Sequence, residues 1–201
     1  MSQFWDARFG NKEYIYGKKP NAFFQAELEK LEPGKVLLPA DGEGRNGVYA
    51  ARNGWEVYAF DTSKEGRKKA MALAEELDVT LHYELESYQT YDPKGKKFEV
   101  IALIFAHKPS EMRRYFHSKM LDWLAPDGVV ILEAFHKTQL GNNSGGPKDL
   151  DLLYSIEDLK DDFKNLDIQL LEQKEVDLDE GGHHQGKAQV VRMVARKSNS
   201  M

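Results

Sequence analysis

The chain has 201 residues, 41% apolar and 30% charged, which is ordinary globular composition with length enough for a core and excludes a disordered chain. Lys and Arg number 28 against 33 Asp and Glu, a net charge of −5, so no global attraction to nucleic acid or anionic lipid is expected. Cysteine is absent, which removes disulfides, Cys-bound zinc, iron–sulfur clusters and thiol nucleophiles together.

A leading segment rich in aromatics (Phe4, Trp5, Phe9, Tyr14, Tyr16) comes first, and Pro20-Asn21 opens a helix with Phe24, Leu28 and Leu31 on one face. Pro33-Gly34 stops it. Val36 to Leu38 is a short, wholly apolar strand, as a central parallel strand should be. A glycine turn and a short helix to Asn53-Gly54 follow, then a second strand from Trp55 to Phe60 closed by Asp61. Ser63 suits the N-cap of a helix burying Ala70, Leu73, Ala74 and Leu77. Val79 to Tyr83 reads as an edge strand and Phe98 to Ala106 as a strand covered on both faces. Pro109 starts a helix carrying Met112, Tyr115, Phe116, Met120 and Trp123. Ala125-Pro126-Asp127-Gly128 is a turn before a fifth strand, Val129 to Phe135.

The rhythm then changes. Gly141 to Pro147 is too glycine-dense for a regular element and reads as a lid or linker. Ser155 and Asp158 resemble a capping box before a helix with Ile156, Leu159 and Phe163 inward. Strands from Ile168 to Leu178 and Ala188 to Arg196 are too close in sequence for a crossover helix, so they are antiparallel. Five β-α units and a terminal hairpin make an α/β chain with a mostly parallel sheet. No apolar run approaches membrane-spanning length, and the start, Met1 to Asp6, lacks a basic region followed by an apolar stretch. A single cytoplasmic domain over 1–201 is expected: 1–34 leading segment and helix, 35–135 core, 136–154 lid-like loop, 155–201 helix and hairpin.

Gly42-Glu43-Gly44-Arg45-Asn46-Gly47 fits G-x-G-x-x-G between a strand and a helix, and Asp61 ends the next strand nineteen residues beyond Gly42. Such glycines let a nucleotide approach the backbone, and a carboxylate there suits a ribose diol. A plain tight turn, a nicotinamide dinucleotide and another nucleoside all remain compatible with that pattern alone.

Val36-Leu37-Leu38-Pro39-Ala40-Asp41-Gly42-Glu43-Gly44-Arg45-Asn46 resembles the first motif of class I S-adenosylmethionine-dependent methyltransferases, closest to the small tellurite-resistance-type subgroup. Tyr16-Gly17, Asp61-Thr62-Ser63, Glu84-Leu85, Ile104 to His107, Gly145 to Asp149 and Gly182 to Gly186 extend the resemblance over about residues 4 to 197. Leu38 stands where these families usually carry an acid, and Ala40 replaces the usual first glycine. The resemblance implies a Rossmann-like, seven-stranded sheet of order 3-2-1-4-5-7-6, the last strand antiparallel, with helices on both faces. It implies S-adenosylmethionine as cofactor, held by Tyr16, Ala40, Asp41, Gly42, Gly44, Asn46, Asp61, Thr62, Glu84, Leu85, Phe105 and His107.

Among the histidines, His82 and His117 read as structural, and His136 follows the fifth strand. His183 and His184 lack a metal-site spacing, so no metal is expected. The strand before them runs with the sheet, so the hairpin tip lies at the carboxyl edge where α/β folds bind ligands. His184, with His183 and Arg192, is therefore expected to position or activate a small methyl acceptor, an anion being among the candidates, and the loop to close over it. Nucleic acid is not expected as substrate. The alternatives are a cofactor-binding module without turnover and an NAD-dependent oxidoreductase on the same glycine turn.

Overall fold

The structure, a computed structural model, describes residues 2–198. Thirteen regular elements follow in chain order: α1 Ser2–Phe9, α2 Ala22–Leu28, β1 Lys35–Pro39, α3 Arg45–Arg52, β2 Glu56–Asp61, α4 Lys64–Glu76 and β3 Leu81–Leu85, then β4 Phe98–Ile104, α5 Ser110–Leu121, β5 Leu124–Phe135, α6 Ile156–Asp162, β6 Asp167–Glu180 and β7 His184–Arg196. The seven strands make one sheet in the order β3-β2-β1-β4-β5-β7-β6. β1 to β5 pair in parallel, and β7 runs antiparallel to both β5 and β6. The expected Rossmann-like methyltransferase topology is borne out.

Strand alternation splits the core into two layers. Leu37, Phe60, Ile101, Leu103 and Leu132 pack with Phe116 and Met120 of α5 and Leu159 of α6. Val36, Leu38, Ala59, Ala102 and Ile131 pack with Phe24 of α2, Val48 of α3 and Leu73 of α4. Both faces of the central strands are largely buried, which is why they read as almost unbroken hydrophobe.

Several expected boundaries shift for local reasons. The third strand starts at Leu81, because Asp78 takes a left-handed φ of 53° and the Val79 N–H donates back to Ala74 O, closing α4. The fourth strand ends at Ile104, because Phe105 turns left-handed at φ 50°. The turn Ala125 to Gly128 lies inside β5 as a bulge: Phe98 pairs with Leu124 and Val100 with Val129. The aromatic leading segment begins with a helix, α1, whose Asp6 carboxylate accepts from the Ser63 hydroxyl at 2.7 Å. The capping box at Ser155 and Asp158 is present, and Asn21 and Ser63 cap α2 and α4.

The terminal hairpin is longer than its apolar content suggests. β5 pairs with β7 only as far as Phe135↔Val190, whereas β6 and β7 stay paired to Glu180↔His184. The arm beyond β5 extends roughly 20 Å at ~3.3 Å per residue. Only Gly181, Gly182 and His183 join its strands, so His184 stands on a strand, opposite Glu180. Leu178 and Ala188 of the arm pack with Phe135 and Leu153, which folds it over the carboxyl edge. Among the described residues, no helix is long and apolar enough to cross a membrane.

Candidate active site

The carboxyl ends of β1, β2 and β4 lie side by side, and the backbone there is unusual. Gly42 and Gly44 have φ of 56° and 84°, and a Cβ on Gly44 would lie 2.5 Å from the Ala70 Cβ. Glycine is required at that position by space as well as by dihedral. Ala40 after β1 and Phe105 after β4 also lie in the left-handed region, at φ 56° and 50°, without being glycine. Such conformations cost an L-residue about 1–2 kcal/mol each and gather at functional sites. Leu38 is 1% exposed within the α2–α3–α4 layer, so the position where related families carry an acid is core here.

Asp61 meets the glycine turn directly. Its Oδ2 accepts from Gly42 N–H at 3.1 Å and its Oδ1 from Ser63 N–H at 2.9 Å. Burial pushes its carboxyl up, against the pull of those two N–H groups. Thr62 is half-buried beside it. Asp41 accepts from Gly47 N–H at 3.1 Å through Oδ2, while its buried Oδ1 has no hydrogen-bond partner among the described residues. Burial lifts the Asp41 carboxyl to about 8. Leu85, 50% exposed at the tip of β3, offers an apolar surface, and Glu84 beside it pairs with Lys94 at 3.4 Å. The left-handed glycine turn, the Asp61 carboxylate at the next strand tip, the exposed Leu85 and the orphaned Asp41 oxygen together fit a nucleoside cofactor across this edge.

Next to it, rings converge from four elements. His184 lies 4.4 Å, centroid to centroid, from Tyr16 of the leading segment, 4.6 Å from Phe105 and 5.1 Å from Phe135. The glycine loop roofs this cluster: a Cβ on Gly145 would come within 2.8 Å of His184 Cδ2, and one on Gly146 within 2.9 Å of the Phe135 ring. Gln139 latches the loop to β7, donating to Ser144 Oγ at 2.8 Å and accepting from Gln189 N–H at 2.8 Å. Tyr16 is held in turn by its segment. The Ile15 N–H and the Lys69 ammonium both bond the Glu43 carboxylate, at 2.8 Å and 2.7 Å.

The expected acceptor group divides. His184 is buried, 6% exposed, with Nδ1 3.3 Å from Glu180 Oε2. His183 is exposed in the turn, 6.5 Å from the Tyr16 ring. Arg192 turns elsewhere: its Nε donates to Glu133, a carboxylate 1% exposed, and its guanidinium lies 4.8 Å over Phe23. Two members of the expected cofactor set are likewise engaged by the fold. His107 Nδ1 faces Leu152 O at 2.6 Å and its Nε2 accepts from Phe135 N–H at 3.2 Å. Asn46 Oδ1 accepts from Asn21 N–H at 2.9 Å.

Residues that sequence reasoning passed over complete the arrangement. Asn21 Nδ2 donates to Glu133 Oε1 at 2.7 Å and to Glu180 Oε1 at 2.9 Å, and Arg45 bonds Glu180 Oε2 at 2.9 Å. The available signal was the hairpin: a short glycine turn puts Glu180 across from His184. Lys108, which follows β4, lies 4.3 Å over the Tyr88 ring and within electrostatic reach of Asp61. His117 is structural as expected, 2.7 Å from Asp162 between α5 and α6.

Residues 36–128 match the family model for a methyltransferase domain. That match bears out the expected enzyme class, a methyltransferase. No curated protein matches the chain. Several solved structures share its fold. One, from the conversion of a disulfide bond into a thioacetal group during echinomycin biosynthesis, is 16% identical over 100% of this chain and 94% of its own, with a TM-score of 0.78. TehB from Haemophilus influenzae is 15% identical over 98% of this chain and 67% of its own, TM-score 0.74. Magnesium protoporphyrin IX methyltransferase (ChlM) from Synechocystis PCC 6803, with bound SAM, is 16% identical over 98% and 95%, TM-score 0.69. At such identities these likenesses establish the fold.

Proposed function

We infer that the chain transfers a methyl group from S-adenosylmethionine to a small molecule held against His184. The observation that carries this reading is the ring cluster of Tyr16, Phe105, Phe135 and His184, built from four elements beside the glycine turn. When bound, the cofactor supplies a methyl group on a sulfonium, displaced in line with a neutral thioether leaving.

Gly42 and Gly44 bring backbone close to the cofactor, Asp61 accepts from the ribose hydroxyls, and Leu85 with Glu84 borders the adenine. Ala40, Asp41 and Thr62 shape the turn around it. Phe105 and Tyr16 line the side facing the acceptor, and His107 and Asn46 act by holding the strand ends and α2 in place. His184 positions the acceptor, His183 flanks it, and Arg192 serves by neutralising Glu133. The loop from Gly141 to Pro147 excludes water when closed, which a displacement on carbon requires. Kinship with the tellurite-resistance-type subgroup is supported by the motif order and by the fold shared with TehB.

The test is a methyl-acceptor screen with radiolabelled S-adenosylmethionine, tellurite and small aromatic acceptors included. For any acceptor found, His184→Ala is expected to lower turnover at least tenfold, about 1.4 kcal/mol, with cofactor affinity within twofold. Equal turnover in both proteins would contradict the role given to His184.

A further inference from the structure

The hairpin tip carries more than a lone imidazole. Glu180 and His184 face each other as the last pair of the arm, and the Glu180 carboxylate is fully engaged: Oε1 by Asn21 Nδ2 at 2.9 Å, Oε2 by Arg45 at 2.9 Å and by His184 Nδ1 at 3.3 Å. Asn21 is the N-cap of α2 and Arg45 the first residue of α3, so two helix starts fix this carboxylate from behind. Burial alone would raise the Glu180 carboxyl, but His184 and Arg45 outweigh it and hold it down to about 2. An ionised carboxylate only accepts, so Nδ1 of His184 carries the proton and donates.

Nε2, across the ring, makes no hydrogen bond among the described residues. Its neighbour Cδ2 faces Gly145 of the lid, and Tyr16, Phe105 and Phe135 surround the ring. Every group around the imidazole can be weighed. Burial among these rings lowers its affinity for a second proton, Arg45 and His183 lower it further, and Glu180 alone raises it, with a net fall below 6.5. Tyr16, and His107 behind Phe105, add no negative charge, because burial keeps the phenol protonated and the imidazole neutral. The imidazole is therefore neutral at pH 7, with a lone pair on Nε2. A lone pair repels an anion and accepts a proton.

We propose that Glu180 is the positioning residue that fixes His184 as the Nδ1–H tautomer, so that Nε2 acts as general base toward an acceptor that enters neutral and protic. This rests on the methyl-transfer reading and sets aside the anion that the sequence left among the candidate acceptors. In the step, the acceptor's S–H or O–H proton passes to Nε2 as the acceptor atom bonds the methyl carbon. The carbon–sulfonium bond breaks with its electron pair, and a neutral thioether leaves. A base weaker than free imidazole is matched to an acidic proton, and the walls are aromatic, so the acceptor class is a flat thiol or phenol rather than an alcohol.

The test uses the full chain labelled with [15N]histidine, His184 being assigned by the loss of its signals in His184→Asn. Long-range proton–nitrogen spectra at pH 7 are expected to show His184 protonated at Nδ1 only, and Glu180→Gln is expected to lower its titration midpoint. Methyl transfer is then followed at pH 7.5 with phenols graded from methoxy to nitro. Glu180→Gln should lower kcat at least tenfold for the methoxy compound and less than threefold for the nitro compound, which ionises unaided, with S-adenosylmethionine affinity within twofold. Protonation at Nε2, an equal loss across the series, or no transfer to any member overturns the proposal. Failure to bind S-adenosylmethionine overturns the underlying reading instead, and the spectra separate the two.

Discussion

His107 and Leu152 are joined by a 2.6 Å contact from the imidazole Nδ1 to the carbonyl oxygen, while the other ring nitrogen accepts from the Phe135 N–H. One side chain thus ties the end of β4 to the end of β5 and to the turn that follows the lid. Burial pulls His107 down to about 4 from 6.5. The neutral ring is favoured in the folded state, so its stabilisation is complete above pH 6.5 and is lost as the pH falls toward 4.

His107→Ala leaves a buried carbonyl and a buried N–H without their partner, at about 1–3 kcal/mol each. Urea denaturation at pH 7.5 should show a loss of roughly 2–4 kcal/mol, and a smaller difference from wild type at pH 4.5. A loss under 0.5 kcal/mol would mean that water replaces the imidazole without penalty.

Asp41 shows the opposite pH dependence. Its carboxyl is lifted to about 8 from 3.8 by burial, so the folded state holds a proton that the unfolded chain releases. The stability linked to that proton is complete below pH 3.8 and falls as the pH rises toward 8. Asp41→Asn removes this dependence and should gain on wild type steadily between pH 5 and 8 in thermal melts. A constant difference across that range would contradict it.

Ala40→Gly relieves a left-handed conformation that costs about 1–2 kcal/mol and loses about 0.5–1 kcal/mol to the freer unfolded chain. The net expectation is a gain of roughly 0.5 kcal/mol in denaturant midpoint experiments. A clear loss would show that the Ala40 methyl contributes packing beyond its strain.

Arg192 is the partner of Glu133, and Glu133 is buried. Arg192→Met strands that carboxylate and should cost about 3–5 kcal/mol, whereas Arg192→Met with Glu133→Gln should recover much of it. Equal stability of wild type and Arg192→Met would return Arg192 to the list of acceptor-binding groups.

Sequence carried the sheet because its signals are local. Val36 to Leu38 and Phe98 to Ala106 are hydrophobic on both faces, and Ser63 and Ser155 announce their helices. The turn at Ala125 to Gly128 was legible as a turn, but its place inside β5 depends on pairing with Phe98, which no local signal encodes. The site divides in the same way. The glycine turn and Asp61 lie at fixed spacings along adjacent strands. The side-chain partnerships do not: Arg192 with Glu133, His107 with two backbone groups, and Asn46 with Asn21 are set by packing between distant elements. Polar residues near the edge therefore looked interchangeable as ligands, although the fold had already engaged several of them. Leu38 lies in the core, so the acid beside the glycine turn is Asp41, which the motif already placed in the expected cofactor set.

The central claim is that Asp61 and the glycine turn hold S-adenosylmethionine, and isothermal titration calorimetry tests it most directly. Wild type, Asp61→Ala and Asp61→Asn are titrated with S-adenosylmethionine, S-adenosylhomocysteine and NAD, with circular dichroism confirming that each is folded. Wild type should bind the two adenosyl ligands and bind NAD more weakly, and Asp61→Ala should lose on the order of 1.5–3 kcal/mol toward both. Unchanged affinity in folded Asp61→Ala, or tighter binding of NAD than of S-adenosylmethionine, would contradict the account.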